Sequence, residues 1–96
     1  MYKDDVLEEL KKFKVANQDI YGILALGLFG SVAKDNANEE SDIDVCVKTK
    51  NADMFAMVHM KEELQKLLSK SVDIVRVRDK MNPYLKKRIE KEAIYV

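Results

Sequence analysis

Two short stretches of this chain have the residue types and spacing to hold a phosphate group together with a metal ion. Gly30-Ser31 closes the apolar run Ile23-Leu24-Ala25-Leu26-Gly27-Leu28-Phe29, and Asp42-Ile43-Asp44 opens a second run, Val45-Cys46-Val47. Ten residues, Val32 to Ser41, separate the serine from the first aspartate. On a strand, side chains alternate, so Asp42 and Asp44 share one face with Cα atoms about 6.6 Å apart. Oxygen ligands so placed suit a hard cation such as Mg2+, which accepts substrate phosphates into its shell. Without a cation, two neighbouring carboxylates repel each other. A bare D-x-D is most simply a solvated strand start, and a bare G-S is a common turn. Their combination and order are more specific. A glycine after a buried strand lets backbone approach a ligand closely, amides at the start of a helical turn donate to phosphate oxygens, and the Ser31 hydroxyl adds a further donor.

A third carboxylate, Asp73, lies within Val72-Asp73-Ile74-Val75-Arg76-Val77. A charge inside an apolar strand needs a partner or a metal. If this strand lies beside the second one, Asp73 joins Asp42 and Asp44 in one acidic cluster. Such a cluster can serve two metal ions, or accept the proton of an attacking hydroxyl. Pairing of Asp73 with Arg76 or Arg78 at the sheet edge is the competing account.

The elements that must position these groups follow from pattern. Asp4 or Asp5 caps a first helix whose apolar positions Val6, Leu10, Phe13 and Ala16 recur at helical spacing. Residues 23–29 read as a strand buried on both sides, because the apolar run is continuous. Ser31 to Lys34 form a short helical turn, Asp35 to Ser41 a polar loop, and residues 42–48 the second strand. Asp53 caps a helix running to about Ser69, with Met57, Met60, Leu64, Leu67 and Leu68 inward. Its length suits a crossover, so the second strand and the third, residues 72–77, are expected to be parallel. Asn82-Pro83 starts a last helix through about Lys91, and Ala93 to Val96 add a short strand. The expected fold is α/β (α+β): one domain, residues 1–96, with a small mixed β-sheet and helices packed against it.

Composition narrows the class. Apolar residues make up 47% and charged residues 35%, which argues for a folded chain. Seventeen basic residues balance 17 acidic ones, which gives no support for direct nucleic-acid binding. The one candidate basic patch, Lys86, Lys87, Arg88 and Lys91, reads as a solvated helix end favoured by the helix dipole. The single cysteine, Cys46, has no internal disulfide partner and reads as a buried strand residue. No apolar run is long enough to span a bilayer, and the charged Met1-Tyr2-Lys3-Asp4-Asp5 is unlike a signal segment, so a cytoplasmic protein is expected. No G-x-G-x-x-G or G-K-[ST] is present to anchor a dinucleotide or Walker-type site. His59, the only histidine, reads as an exposed helix residue. The four tyrosines are too scattered for a base-stacking platform.

Strand, G-S, loop, D-x-D, strand, with a third carboxylate on a later strand, resembles the polymerase-beta-type nucleotidyltransferase superfamily. The stretches Leu26-Gly27-Leu28-Phe29-Gly30-Ser31-Val32-Ala33-Lys34 and Glu40-Ser41-Asp42-Ile43-Asp44-Val45 are similar to its minimal branch, often encoded beside a HEPN-domain ribonuclease toxin. The resemblance implies that Asp42, Asp44 and Asp73 are catalytic and bind Mg2+, two ions in all. It implies that Gly30 and Ser31 hold the triphosphate, with Lys34 as a further phosphate-binding charge. The implied reaction moves AMP from ATP to a hydroxyl, a tyrosine of the partner toxin, and so silences it. Two alternatives stay open: an antitoxin that only binds and masks its toxin, and the catalytic subunit of a small-molecule or RNA nucleotidyltransferase. The chain departs from the family where an arginine and a glycine often follow G-S-x-A. Lys34-Asp35 stands there instead, keeping a positive charge without the bidentate fork.

Overall fold

β-Branched and aliphatic residues concentrate in four segments, and a computed structural model, which describes residues 3–38 and 41–96, forms one sheet from them. The strands are β1 (Ile23–Phe29), β2 (Ile43–Thr49), β3 (Val72–Arg76) and β4 (Ile94–Tyr95), in the spatial order β3-β2-β1-β4. β1 runs antiparallel to β2 and to β4, while β2 and β3 are parallel, as the crossover predicts. The helices are α1 (Lys3–Tyr21), the single turn α2 (Gly30–Ala33), α3 (Met54–Leu68) and α4 (Pro83–Glu92). The mixed sheet with packed helices matches the fold expected from sequence. The Cα radius of gyration, 12.4 Å, is that of a chain of this length folded around one sheet.

Alternation along the strands divides the apolar residues between two faces. Leu26, Leu28, Ile43, Val45, Val47 and Val72 join Val6, Leu10 and Phe13 of α1 and Met60, Leu64 and Leu68 of α3 in the larger core. The opposite face carries a smaller cluster, Phe29, Cys46 and Ile89, with Val75, Val77, Leu85 and Ala93 against it. α4 therefore covers one face of the sheet, and α1 and α3 the other. Odd-numbered β2 residues serve α1 and α3, so the even-numbered Asp44 belongs to the α4 face.

The ends of the elements have local causes. The Asp53 carboxylate accepts from the amides of Phe55 (3.0 Å) and Ala56 (3.2 Å), capping α3 as expected. Asn82 accepts from Tyr84 (2.9 Å) and Leu85 (3.2 Å), and Pro83 occupies the first turn of α4. Asp4 and Asp5 lie inside the first turn of α1 rather than capping it, where their charge still meets the helix dipole favourably.

Four side chains depart from the sequence reading. Ala16 is exposed because the buried stripe of α1 ends at Phe13. Leu67 is 45% exposed, about 100° round the helix from the buried Leu68. Leu24 is 57% exposed, so β1 is not buried on both sides along its whole length. Its ladder with β2 shifts between Ile23 and Ala25, and this bulge returns Ile23 to the core while turning Leu24 outward. Asp42 precedes β2, which begins at Ile43 and ends one residue later than expected. Glu39 and Glu40 of the polar loop, with Met1 and Tyr2, lie outside the described residues.

Truncating a buried core residue and removing a helix cap should differ in cost. Leu64→Ala is expected to lower the unfolding free energy by about 2–5 kcal/mol, and Asp53→Ala by about 1 kcal/mol. Urea denaturation of both variants checks this, and equal losses would contradict the division between core and cap.

Candidate active site

The end of β1 and the start of β2 bring the two sequence motifs together. Phe29 pairs with Asp44 across the antiparallel ladder, and Asp44 pairs with Asp73 across the parallel one. Phe29, Asp44 and Asp73 thus form a row on the face that α4 partly covers. Asp42 lies two residues back along the chain from Asp44 and is exposed, as is Asp73, whereas Asp44 is half-buried. Arg76 and Arg78, the competing partners for Asp73, are engaged elsewhere. Arg76 Nε donates to Thr49 Oγ1 at 3.1 Å, and Arg78 donates to the Arg76 carbonyl at 3.1 Å.

Gly30 follows directly from this register. Its φ is +78°, in the left-handed region that side chains disfavour. A Cβ built on it would run into the Oδ2 atom of Asp44. The glycine therefore meets two demands: it turns the chain from β1 into α2, and it leaves room for a carboxylate directly over the backbone. Ser31, the next residue, is half-buried at the start of the turn. Asp35, at the end of the turn, has φ of 59°. Aspartate is among the few side chains that tolerate the conformation, which glycine adopts without strain.

Burial raises the pKa of Asp44, and the negative charge of Asp73 raises it further. The Arg88 guanidinium pulls the other way, while Asp42 and Glu92 again disfavour ionisation. Such a carboxylate is held short of its most stable charged state, which a nearby cation would relieve. The donor set consists of oxygens only, as a hard cation requires. The backbone thus puts Asp44 and Asp73 on one face, with Asp42 just outside the strand two residues before Asp44. As the side chains stand, no three His, Cys, Asp or Glu groups among the described residues converge closely enough to hold a metal ion.

Two residues at the site carry more weight than the sequence reading gave them. Glu92 ends α4 with only 9% of its side chain exposed. Its Oε1 accepts from the Gly30 amide at 3.2 Å, and its Oε2 pairs with Lys34 Nζ at 2.9 Å. Arg88, one turn earlier, reaches Glu92 Oε1 at 3.9 Å and lies 5.7 Å over the Phe29 ring. Lys34 and its neighbours lower the pKa of Glu92: the Lys34 hydrogen bond is the largest cause, and burial opposes it. Arg88 is thus not simply part of a solvated helix end. Lys34 is an ammonium engaged by a carboxylate, not one standing open to phosphate. One signal was available in the sequence. An acid in the last turn of a helix opposes the dipole, so Glu92 needed a specific partner.

Other side chains noted in the sequence stay away from this site. Cys46 is buried and its thiol pKa is pushed up by burial, as a core residue's would be. His59 is exposed on α3. Tyr21 donates to Glu63 at 2.6 Å, and burial followed by that bond pushes its pKa up to about 12. No helix among the described residues is long and apolar enough to cross a membrane.

Comparison with known proteins gives this geometry a family. A domain profile described as a nucleotidyltransferase domain matches residues 10–96. A protein of Methanocaldococcus jannaschii, named provisionally as a protein adenylyltransferase, is 38% identical over 95 residues, covering 96% of this chain and 95% of its own. A solved structure provisionally described as a minimal nucleotidyltransferase superposes with a TM-score of 0.78 at 29% identity, covering 98% of this chain and 95% of that one. A chain from a toxin–antitoxin crystal structure with AMP-PNP superposes with a TM-score of 0.76 at 26% identity, covering 93% and 72%. The profile match and the near full-length relative together show that the chain belongs to the nucleotidyltransferase domain family.

Proposed function

We propose that this chain transfers AMP from ATP to a hydroxyl of a protein, and that the acceptor is a tyrosine of a HEPN-domain toxin silenced by the transfer. The observation that carries the reading is the register of the sheet, with Asp44 opposite Asp73 and directly over Gly30. The adenylyltransferase name of the M. jannaschii relative and the AMP-PNP in the toxin–antitoxin structure support the nucleotide and the kind of partner. The tyrosine and the HEPN class come from the family resemblance in the motif text.

Each residue then has a role. Asp42, Asp44 and Asp73 are the residues that would hold Mg2+, two ions in all, which would supply positive charge to offset that of the phosphates and of the attacking and leaving oxygens. Gly30 lets the backbone lie close to the triphosphate, and the Ser31 hydroxyl donates to a phosphate oxygen. Lys34, paired with Glu92, contributes its charge to the same end of the site rather than a direct phosphate contact. The acceptor oxygen bonds to the α-phosphorus as the bond to pyrophosphate breaks, and Asp73 takes the hydroxyl proton. A cytoplasmic setting goes with this reading, since ATP is available there.

Label transfer tests the reading. The chain, Mg2+ and α-labelled ATP are incubated with the product of the neighbouring gene. Label is expected on a tyrosine of the partner, and its loss is expected with Asp42→Asn or Asp44→Asn. Silencing of the partner without label would identify an antitoxin that acts by masking, and unchanged turnover in either variant would sink the triad.

Asp44 also gives a pH dependence. Its pKa in the fold lies above the ordinary 3.8, so the native state holds the proton more tightly than the unfolded state does. Stability drawn from this residue is therefore present at low pH and is lost as pH rises through the folded pKa. In the absence of divalent cations, Asp44→Asn should melt above wild type at pH 7, and the gap should close below pH of about 4. A variant that melts level with or below wild type at pH 7 would contradict this origin of the shift.

A further inference from the structure

Glu92 joins three parts of the site that are distant in sequence. It accepts from the Gly30 amide, pairs with Lys34 on α2 and reaches Arg88 on its own helix, while 9% of its side chain is exposed. Arg88 lies against the ring of Phe29, the cross-strand partner of Asp44. A guanidinium in that position faces Glu92 at 3.9 Å, and its charge also acts on Asp44. Resting on the nucleotidyl-transfer reading above, we propose that Glu92 is a positioning residue whose negative charge holds Arg88 off Asp44, leaving that carboxylate free for a divalent cation.

The physical reason is competition between cations. Asp44 feels the charge of Arg88. A guanidinium that closes on a carboxylate forms a bidentate pair and takes both oxygens a metal would use. Glu92 offers Arg88 another anion at the same end of the sheet. Its bond to the Gly30 amide fixes that anion relative to the turn under Asp44. The short separation of Glu92 and Lys34 and the low exposure of the carboxylate make this a fixed arrangement rather than a loose surface contact.

Glu92→Gln keeps the length and the acceptor for the Gly30 amide but removes the charge. Mn2+ binding to the nucleotide-free chain, followed by electron paramagnetic resonance, is the readout, with melting of each variant alongside. Glu92→Gln is expected to weaken Mn2+ binding by roughly tenfold, and adding Arg88→Gln to it should restore most of the loss. A purely structural tether would give no such rescue. Arg88→Gln alone, in a residue whose side chain is 53% exposed, should bind Mn2+ at least as tightly as wild type. Unchanged binding in Glu92→Gln, loss without rescue in the double variant, or weaker binding in Arg88→Gln would each overturn the role given to Glu92. Failure of the wild-type chain to bind Mn2+ would instead overturn the metal-site reading on which this role rests.

Discussion

The contact between the Asp44 carboxylate and the backbone of Gly30 is the constraint on which the rest of this site depends. The antiparallel register of β1 and β2 puts Phe29 opposite Asp44, so the residue after Phe29 must pass beneath that carboxylate. Only a residue without a side chain fits there, and its positive φ makes the same demand. The turn carrying Ser31 then begins at a fixed place relative to Asp44. The parallel pairing of β2 and β3 adds Asp73 to the same row. Two ladders of opposite sense thus collect residues from distant parts of the chain into one end of one sheet face.

Electrostatics at that end are balanced rather than simply acidic. The charges of Asp73 and Asp42 disfavour the Asp44 anion and Arg88 offsets them in part, while Arg88 is in turn held by Glu92, which also takes Lys34 and the Gly30 amide. The larger core on the other face needs none of this. It is aliphatic and aromatic throughout, and no polar or charged residue among those described is buried in it. The pleat of the sheet therefore separates the larger apolar core, packed by α1 and α3, from the α4 face that holds Asp44, Asp73 and Glu92.

Much of this was legible in the sequence, because it depends on spacing along single elements. The 3.6-residue stripe of α3 located Met60, Leu64 and Leu68, and the caps Asp53 and Asn82 marked where two helices begin. The two-residue spacing of Asp42 and Asp44 located the acidic face, and the crossover length gave the parallel pairing that brings in Asp73. What escaped depends on contacts between elements. The bulge that turns Leu24 outward is a mismatch between two strands, and neither strand shows it alone. Leu67 is as apolar as Leu68 and differs only in which way it points. Arg88 reads as part of a solvated helix end, and the partners of Glu92 do not show in the sequence, because both depend on α4 lying across the sheet beside Phe29 and Gly30.

The most direct test of the account is where a divalent cation binds. Crystals of the chain grown with Mn2+ and a non-hydrolysable ATP analogue would show the cation in anomalous difference maps. The account predicts a peak held by carboxylate oxygens of Asp42 and Asp44, beside Asp73, with the analogue's phosphates over Gly30 and Ser31. A nucleotide bound away from the Gly30 turn, or a cation with no carboxylate of this row in its shell, would contradict it.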